Sequence, residues 1–156
     1  MKYVDVKEVF AEIPDEITLA ISISGCPIRC PGCHSQYLWD DAGEELTVEV
    51  LSSLLTGHAG ISCLCFMGGD QDPAEVNHLA RWVKEHSRVR TAWYSGRGRL
   101  ASEIELAHFD YVKLGPYDER RGPINRLTTN QVLYRVRDGE MEDITSRFWK
   151  KSVIGL

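Results

Sequence analysis

Cys26, Cys30 and Cys33 stand at x3 and x2 spacing in the stretch Cys26-Pro27-Ile28-Arg29-Cys30-Pro31-Gly32-Cys33. Thiolates are soft metal ligands and nucleophiles. The two prolines and the glycine keep this loop out of helix and strand, so it can turn three sulfurs toward one point. Three chemistries compete for that point. A structural zinc site wants four protein ligands; His34 is the obvious fourth, but it is adjacent to Cys33 and points elsewhere. Cys63 and Cys65 lie in an apolar run and read as small core residues. A thiol–disulfide site at Cys30-x-x-Cys33 leaves Cys26 without a role. An iron–sulfur cluster fits best. A cubane cluster usually has four cysteine ligands, so three leave one iron open. An open position separates a reaction centre from a structural site.

The elements around the loop decide where it sits. Thr18 to Ser24 is a short, largely apolar strand stopped by Gly25, so the loop hangs from a strand's carboxyl end, where open α/β sheets place their chemistry. Thr47 caps a helix carrying Val48, Leu51, Leu54 and Leu55, ended near Gly57. Ile61 to Met67 reads as a strand buried on both faces, closed by Gly68-Gly69-Asp70. Asp72, Pro73 and Glu75 then give a helix start of the Asp-x-x-Glu kind. Val76, Leu79, Ala80 and Val83 follow at helical spacing. Val89 to Tyr94 is a third strand, Leu100 to His108 a weaker helix, Tyr111 to Leu114 a fourth strand. Gln131 to Val136 is a fifth, turning at Asp138-Gly139, and the opening around Val4, Val6 and Val9 reads as an edge strand. The alternation implies one α/β domain over residues 1–156 with a mainly parallel sheet. It is too short to close an eight-fold barrel, so an open, partial (βα) barrel is expected.

A net charge of −5 disfavours nucleic acid as a partner. The longest apolar run, Ile61 to Met67, is too short to span a bilayer. Asp5, Lys7 and Glu8 stand where a signal peptide would need an apolar core. An odd total of 5 cysteines, three of them crowded, fits a reducing cytoplasm better than a secreted disulfide framework.

Cys26-x3-Cys30-x2-Cys33 directly after a strand resembles the cluster motif of the radical S-adenosylmethionine (radical SAM) enzymes. Ser24-Gly25-Cys26-Pro27 through Cys33-His34 looks most like the activating proteins of anaerobic ribonucleoside-triphosphate reductase. Gly68-Gly69-Asp70, Tyr94-Ser95-Gly96 and Thr128-Thr129-Asn130-Gln131 are similar to that group as well. The resemblance implies a partial barrel of the radical SAM type. It also implies a 4Fe–4S cluster on the three cysteines, with SAM chelated at the fourth iron. Reductive cleavage of SAM would yield a 5′-deoxyadenosyl radical, which takes a hydrogen from a glycine of the reductase. A one-electron donor such as flavodoxin would supply the electron.

The same resemblance implies SAM contacts. Gly68 and Gly69 would let the backbone approach the methionine ammonium. Asp70 stands where the wider family tends to carry Glu. Gly32 replaces a frequent aromatic, leaving His34 to meet the adenine. Tyr94, Ser95 and Lys113 fall at strand ends facing SAM. Lys113 precedes Leu114-Gly115, where the group usually shows Asp-Gly, and would substitute for that ribose contact. Arg97, Arg99, Arg120 and Arg121 read as solvated loops or as a docking surface. Two alternatives remain: activation of another glycyl-radical enzyme of the formate-lyase type, whose activases are usually longer, and a non-catalytic iron–sulfur or zinc module.

Overall fold

The computed structural model describes residues 1–30 and 38–149. The elements, in chain order, are β1 (Lys2–Val9), β2 (Thr18–Ile23), β3 (Glu44–Glu45), α1 (Val48–Gly57), β4 (Cys63–Met67), α2 (Pro73–His86), β5 (Arg90–Tyr94), β6 (Tyr111–Leu114), β7 (Val132–Arg137) and β8 (Glu140–Asp143). The strands form one sheet in the order β3-β1-β2-β4-β5-β6-β7-β8.

Both helices begin as their sequences dictate. The Thr47 side chain accepts from the Val50 amide at 3.2 Å, and Asp72 accepts from the Glu75 amide at 3.2 Å with Pro73 in the first turn. These bonds satisfy donors that a helix start otherwise leaves orphaned. The helices bury Leu51, Val76, Leu79, Ala80 and Val83 on one face of the sheet, against Leu19, Ile21, Leu64, Phe66, Trp93 and Val112. The alternate residues Cys63, Cys65, Ala92, Tyr111 and Leu133 face the other way, under Ile13 and Ile144. Both faces are therefore covered, which explains why β4 is apolar at every position.

The expected mainly parallel, partial (βα) barrel is not what forms. The sheet is mixed. β2, β4, β5 and β6 are parallel neighbours, whereas β1 pairs antiparallel with β2 and β3, β7 with β6, and β8 with β7. A parallel return needs a crossover, usually a helix. The connection from β6 to β7 holds Pro116, Gly122 and Pro123 and no helix, so β7 comes back antiparallel. β7 and β8 are joined by Asp138 (φ 51°) and Gly139 (φ 76°), a pair of positive φ values that closes a two-residue hairpin. The helix expected over Leu100 to His108 shrinks to one 3₁₀ turn at Leu106–His108. Asn77 of α2 takes the Glu105 amide at 2.8 Å and holds this segment as a strap instead. β1 is flanked by β3, so it is not an edge. The tail beyond Trp149 lies outside the described residues.

Candidate metal centre

The carboxyl ends of β2, β4, β5 and β6 lie side by side, and short polar contacts stitch their loops together. Ser24 accepts the Ala42 amide at 3.1 Å and donates to the Ala42 carbonyl at 2.6 Å. The Cys26 amide donates to the Leu38 carbonyl at 2.9 Å. These bonds close the cysteine loop at its base. Gly25 has φ 74°, and a Cβ there would lie 3.3 Å from Nε2 of Gln71. The Gln71 amide in turn donates to the Ser24 carbonyl at 2.7 Å.

Cys26 is half-buried and Cys30 buried. Cys33, Gly32 and His34 lie outside the described residues, so the expected third thiol and the adenine contacts are not placed. Ile28 seats the loop against β5: a Cβ on Gly96 would come within 2.9 Å of it. Arg29 reaches back over the indole of Trp39, 5.7 Å from the ring centroid, and donates to its carbonyl at 3.3 Å. The Trp39 indole nitrogen is buried without an acceptor among the described residues.

Asp70 and Ser95 meet. The carboxylate accepts from the Ser95 hydroxyl at 2.5 Å and from the Gly96 amide at 2.8 Å. Asp70 thereby locks the β4 loop to the β5 loop. Gly68 and Gly69 both have positive φ, 109° and 96°. The Gly68 amide donates to the Tyr94 carbonyl at 3.1 Å, and the Gly68 carbonyl accepts from the Trp93 indole at 2.7 Å. A Cβ on Gly69 would lie 2.6 Å from Val76 Cγ2. A Cβ on Gly68 would lie 3.0 Å from the Ile23 carbonyl oxygen, so close approach to β2 and α2, with positive φ, is a sufficient physical reason for both glycines.

Tyr94 and Lys113 share the sheet face opposite the helices. The Tyr94 hydroxyl donates to the Glu12 carbonyl. The Lys113 ammonium lies 5.3 Å from the Tyr94 ring centroid and donates to the Gly115 carbonyl at 3.2 Å. Lys113 is only 6% exposed. Burial pushes its pKa down to about 8, while Asp70, Cys30, Cys65 and Cys26 pull the other way. This buried cation therefore sits in the field of Cys26 and Cys30, the two described thiols of the loop. Cys63 and Cys65 are fully buried in β4, and burial raises both thiols above their ordinary value. They are core groups.

Sequence reading did not single out Gln71, Ile28 or the Arg29–Trp39 stack as parts of the loop's support. It also missed Asp118 and Glu119. With Ile28, Cys30, Tyr117 and Asn130 they line a pocket of about 440 Å³ beside the cysteine loop. Asn130 accepts from Arg121 at 3.1 Å through its side-chain oxygen. The Cβ that Gly115 lacks would lie 2.6 Å from the Asn130 carbonyl, which gives the Thr-Thr-Asn segment a packing role.

The donors here suit an anionic, sulfur-ligated group: soft thiols on a strand-end loop, a buried ammonium within their field, and an indole N–H without an acceptor among the described residues. The arrangement is that of a cluster-binding α/β protein. The sequence model of one family, described as a 4Fe-4S single cluster domain, matches residues 17–111, from the residue before β2 to the first residue of β6. The chain belongs to that family. No curated protein and no solved structure matches it. No helix among the described residues is long and apolar enough to cross a membrane.

Proposed function

We propose that this is a radical SAM activating enzyme that generates the glycyl radical of an anaerobic ribonucleoside-triphosphate reductase. The observation that carries the reading is the Lys113 ammonium, buried over the Tyr94 ring and within the electrostatic field of Cys26 and Cys30. Bound to Cys26, Cys30 and Cys33, a reduced 4Fe–4S cluster would supply one electron to the sulfonium of SAM. That chemistry would split SAM to methionine and a 5′-deoxyadenosyl radical able to take a glycine α-hydrogen from the reductase. The chain's own part is placement. Lys113 donates to carboxylate or hydroxyl oxygens of SAM. The Asp70–Ser95–Gly96 lock holds the loops after β4 and β5 together, and Gly68 and Gly69 let that backbone pack closely on Ile23 and Val76. Asp118 and Glu119 offer acceptors to ribose hydroxyls, the role that Leu114 cannot fill. Flavodoxin is the expected type of electron donor, and a formate-lyase-type enzyme is the other candidate partner.

A second reading is favoured by two observations. Both carboxylate oxygens of Asp70 already have donors, and Ile13, Leu133 and Ile144 fill the face that a partial barrel would open to substrate. Both suit a cluster module without SAM chemistry. Anaerobic reconstitution, reduction with dithionite and addition of SAM separates the readings. Formation of 5′-deoxyadenosine, followed by a glycyl-radical doublet on mixing with the reductase, supports the enzyme. Iron bound with SAM uncleaved selects the module.

A further inference from the structure

The face of the sheet opposite the helices carries a pocket of about 570 Å³ away from the cysteine loop, within the range of small-molecule sites. Phe10, Tyr94, Ile124 and Phe148 form its apolar walls. Phe10 is 67% exposed, an unusual position for an aromatic ring. Two charged residues line the same pocket, Glu12 and Arg147. Oε2 of Glu12 is buried and has no hydrogen-bond partner among the described residues. A carboxylate oxygen removed from water without a donor is costly, so among the described residues the site lacks a cationic or N–H partner. Arg147 does not supply it: among the described residues its side chain makes no ion pair or hydrogen bond. An anion and a cation thus border one apolar cavity without neutralising each other.

We propose that this pocket binds a zwitterionic small molecule with an apolar body, of the amino-acid type. Glu12 takes its ammonium, Arg147 its carboxylate, and the aromatic walls its side chain. The walls add cation–π attraction for the ammonium, and a guanidinium suits a carboxylate through two parallel N–H bonds. The Tyr94 hydroxyl, bonded to the Glu12 carbonyl, fixes the segment that carries the anion. The proposal is independent of SAM chemistry, because binding is measurable whether or not a reaction follows.

Calorimetric titration of the full-length reconstituted protein with L-phenylalanine, 3-phenylpropionate and 2-phenylethylamine tests it. L-Phenylalanine is expected to bind saturably, and each analogue lacking one charge at least tenfold more weakly. In Glu12→Gln the amino acid should bind no better than 3-phenylpropionate, and in Arg147→Gln no better than 2-phenylethylamine. Absence of saturable binding by L-phenylalanine, leucine and methionine would overturn the proposal. So would equal binding of the three phenyl compounds to the unaltered protein, a comparison that stands even where a variant does not fold.

Discussion

The Asp70 carboxylate and the Ser95 hydroxyl, 25 residues apart in the chain, are joined by a 2.5 Å hydrogen bond, with the Gly96 amide on the second carboxylate oxygen at 2.8 Å. Asp70 is 3% exposed and Ser95 1%, so neither bond is exchanged readily for water. Asp70→Asn turns an amide donor toward one of its two present donors. It should cost about 2 kcal/mol, while Ser95→Ala should cost about 1 kcal/mol. Urea unfolding of the cluster-free protein measures both. A larger loss for Ser95→Ala would mean that the carboxylate does not organise this lock.

Gly69→Ala tests the close packing of the loop after β4 on Val76. The new methyl would meet Val76 at 2.6 Å on a backbone with φ 96°. A loss of about 2–3 kcal/mol is expected from clash and left-handed strain together. Adding Val76→Ala should relieve the clash and leave the strain, so the pair should be less unstable than the sum of the two single changes. Strict additivity in thermal unfolding would show that the two residues do not touch.

Lys113 costs stability by its burial, and the proposed function gives it a role in SAM binding. Its pKa in the folded chain is lowered from 10.5 to about 8, which corresponds to about 3 kcal/mol against folding while the group is charged in both states. Between pH about 8 and 10.5 the unfolded chain holds this proton and the folded chain does not, so stability rises with pH there. Lys113→Met should therefore be the more stable protein at pH 7, by about 1–2 kcal/mol after loss of the Gly115 bond. Its advantage should shrink as pH climbs through that interval. The same variant should bind SAM more weakly. A variant that is less stable than the parent at pH 7 would place a net attraction at Lys113.

The cysteines divide into two groups with different expected responses. Cys63→Ala and Cys65→Ala remove buried sulfurs from β4 and should cost about 1 kcal/mol each through lost packing, with iron content unchanged. Cys26→Ala, Cys30→Ala and Cys33→Ala should each lose the cluster. Iron assays on reconstituted protein, read beside thermal unfolding, separate the groups. Iron lost from the β4 variants would move the ligand set into the sheet.

Much of the fold was legible in local chemistry. Thr47, Asp72 and Pro73 announce the two helix starts, the apolar run ending at Met67 announces a buried strand, and Asp138-Gly139 announces the hairpin. Strand direction was not legible, because it depends on whether a connection carries a helix, and the stretch from Pro116 to Gln131, broken by Gly122 and Pro123, shows no helical period. β8 is short, polar and acidic, so its alternation carries no apolar signal. In the site, Lys113 stands out by chemistry alone, inside a strand whose other residues are apolar or aromatic. Asp70 after two glycines looks like a ligand contact from sequence. Its bond to Ser95 exists only because β4 and β5 are parallel neighbours, which places both carboxyl-end loops together. Glu12 and Arg147 had no motif at all; they share a pocket only because the segment after β1 crosses the sheet face beside the C-terminal turn.

The proposed radical chemistry requires a cluster iron that Cys26, Cys30 and Cys33 leave without a fourth side chain. Electron paramagnetic resonance of the dithionite-reduced, reconstituted protein, recorded before and after SAM is added, examines that iron directly. SAM should shift the cluster's g-values in the unaltered protein and in the Cys63→Ala and Cys65→Ala variants alike. A reduced-cluster spectrum that saturating SAM leaves unchanged would contradict the account.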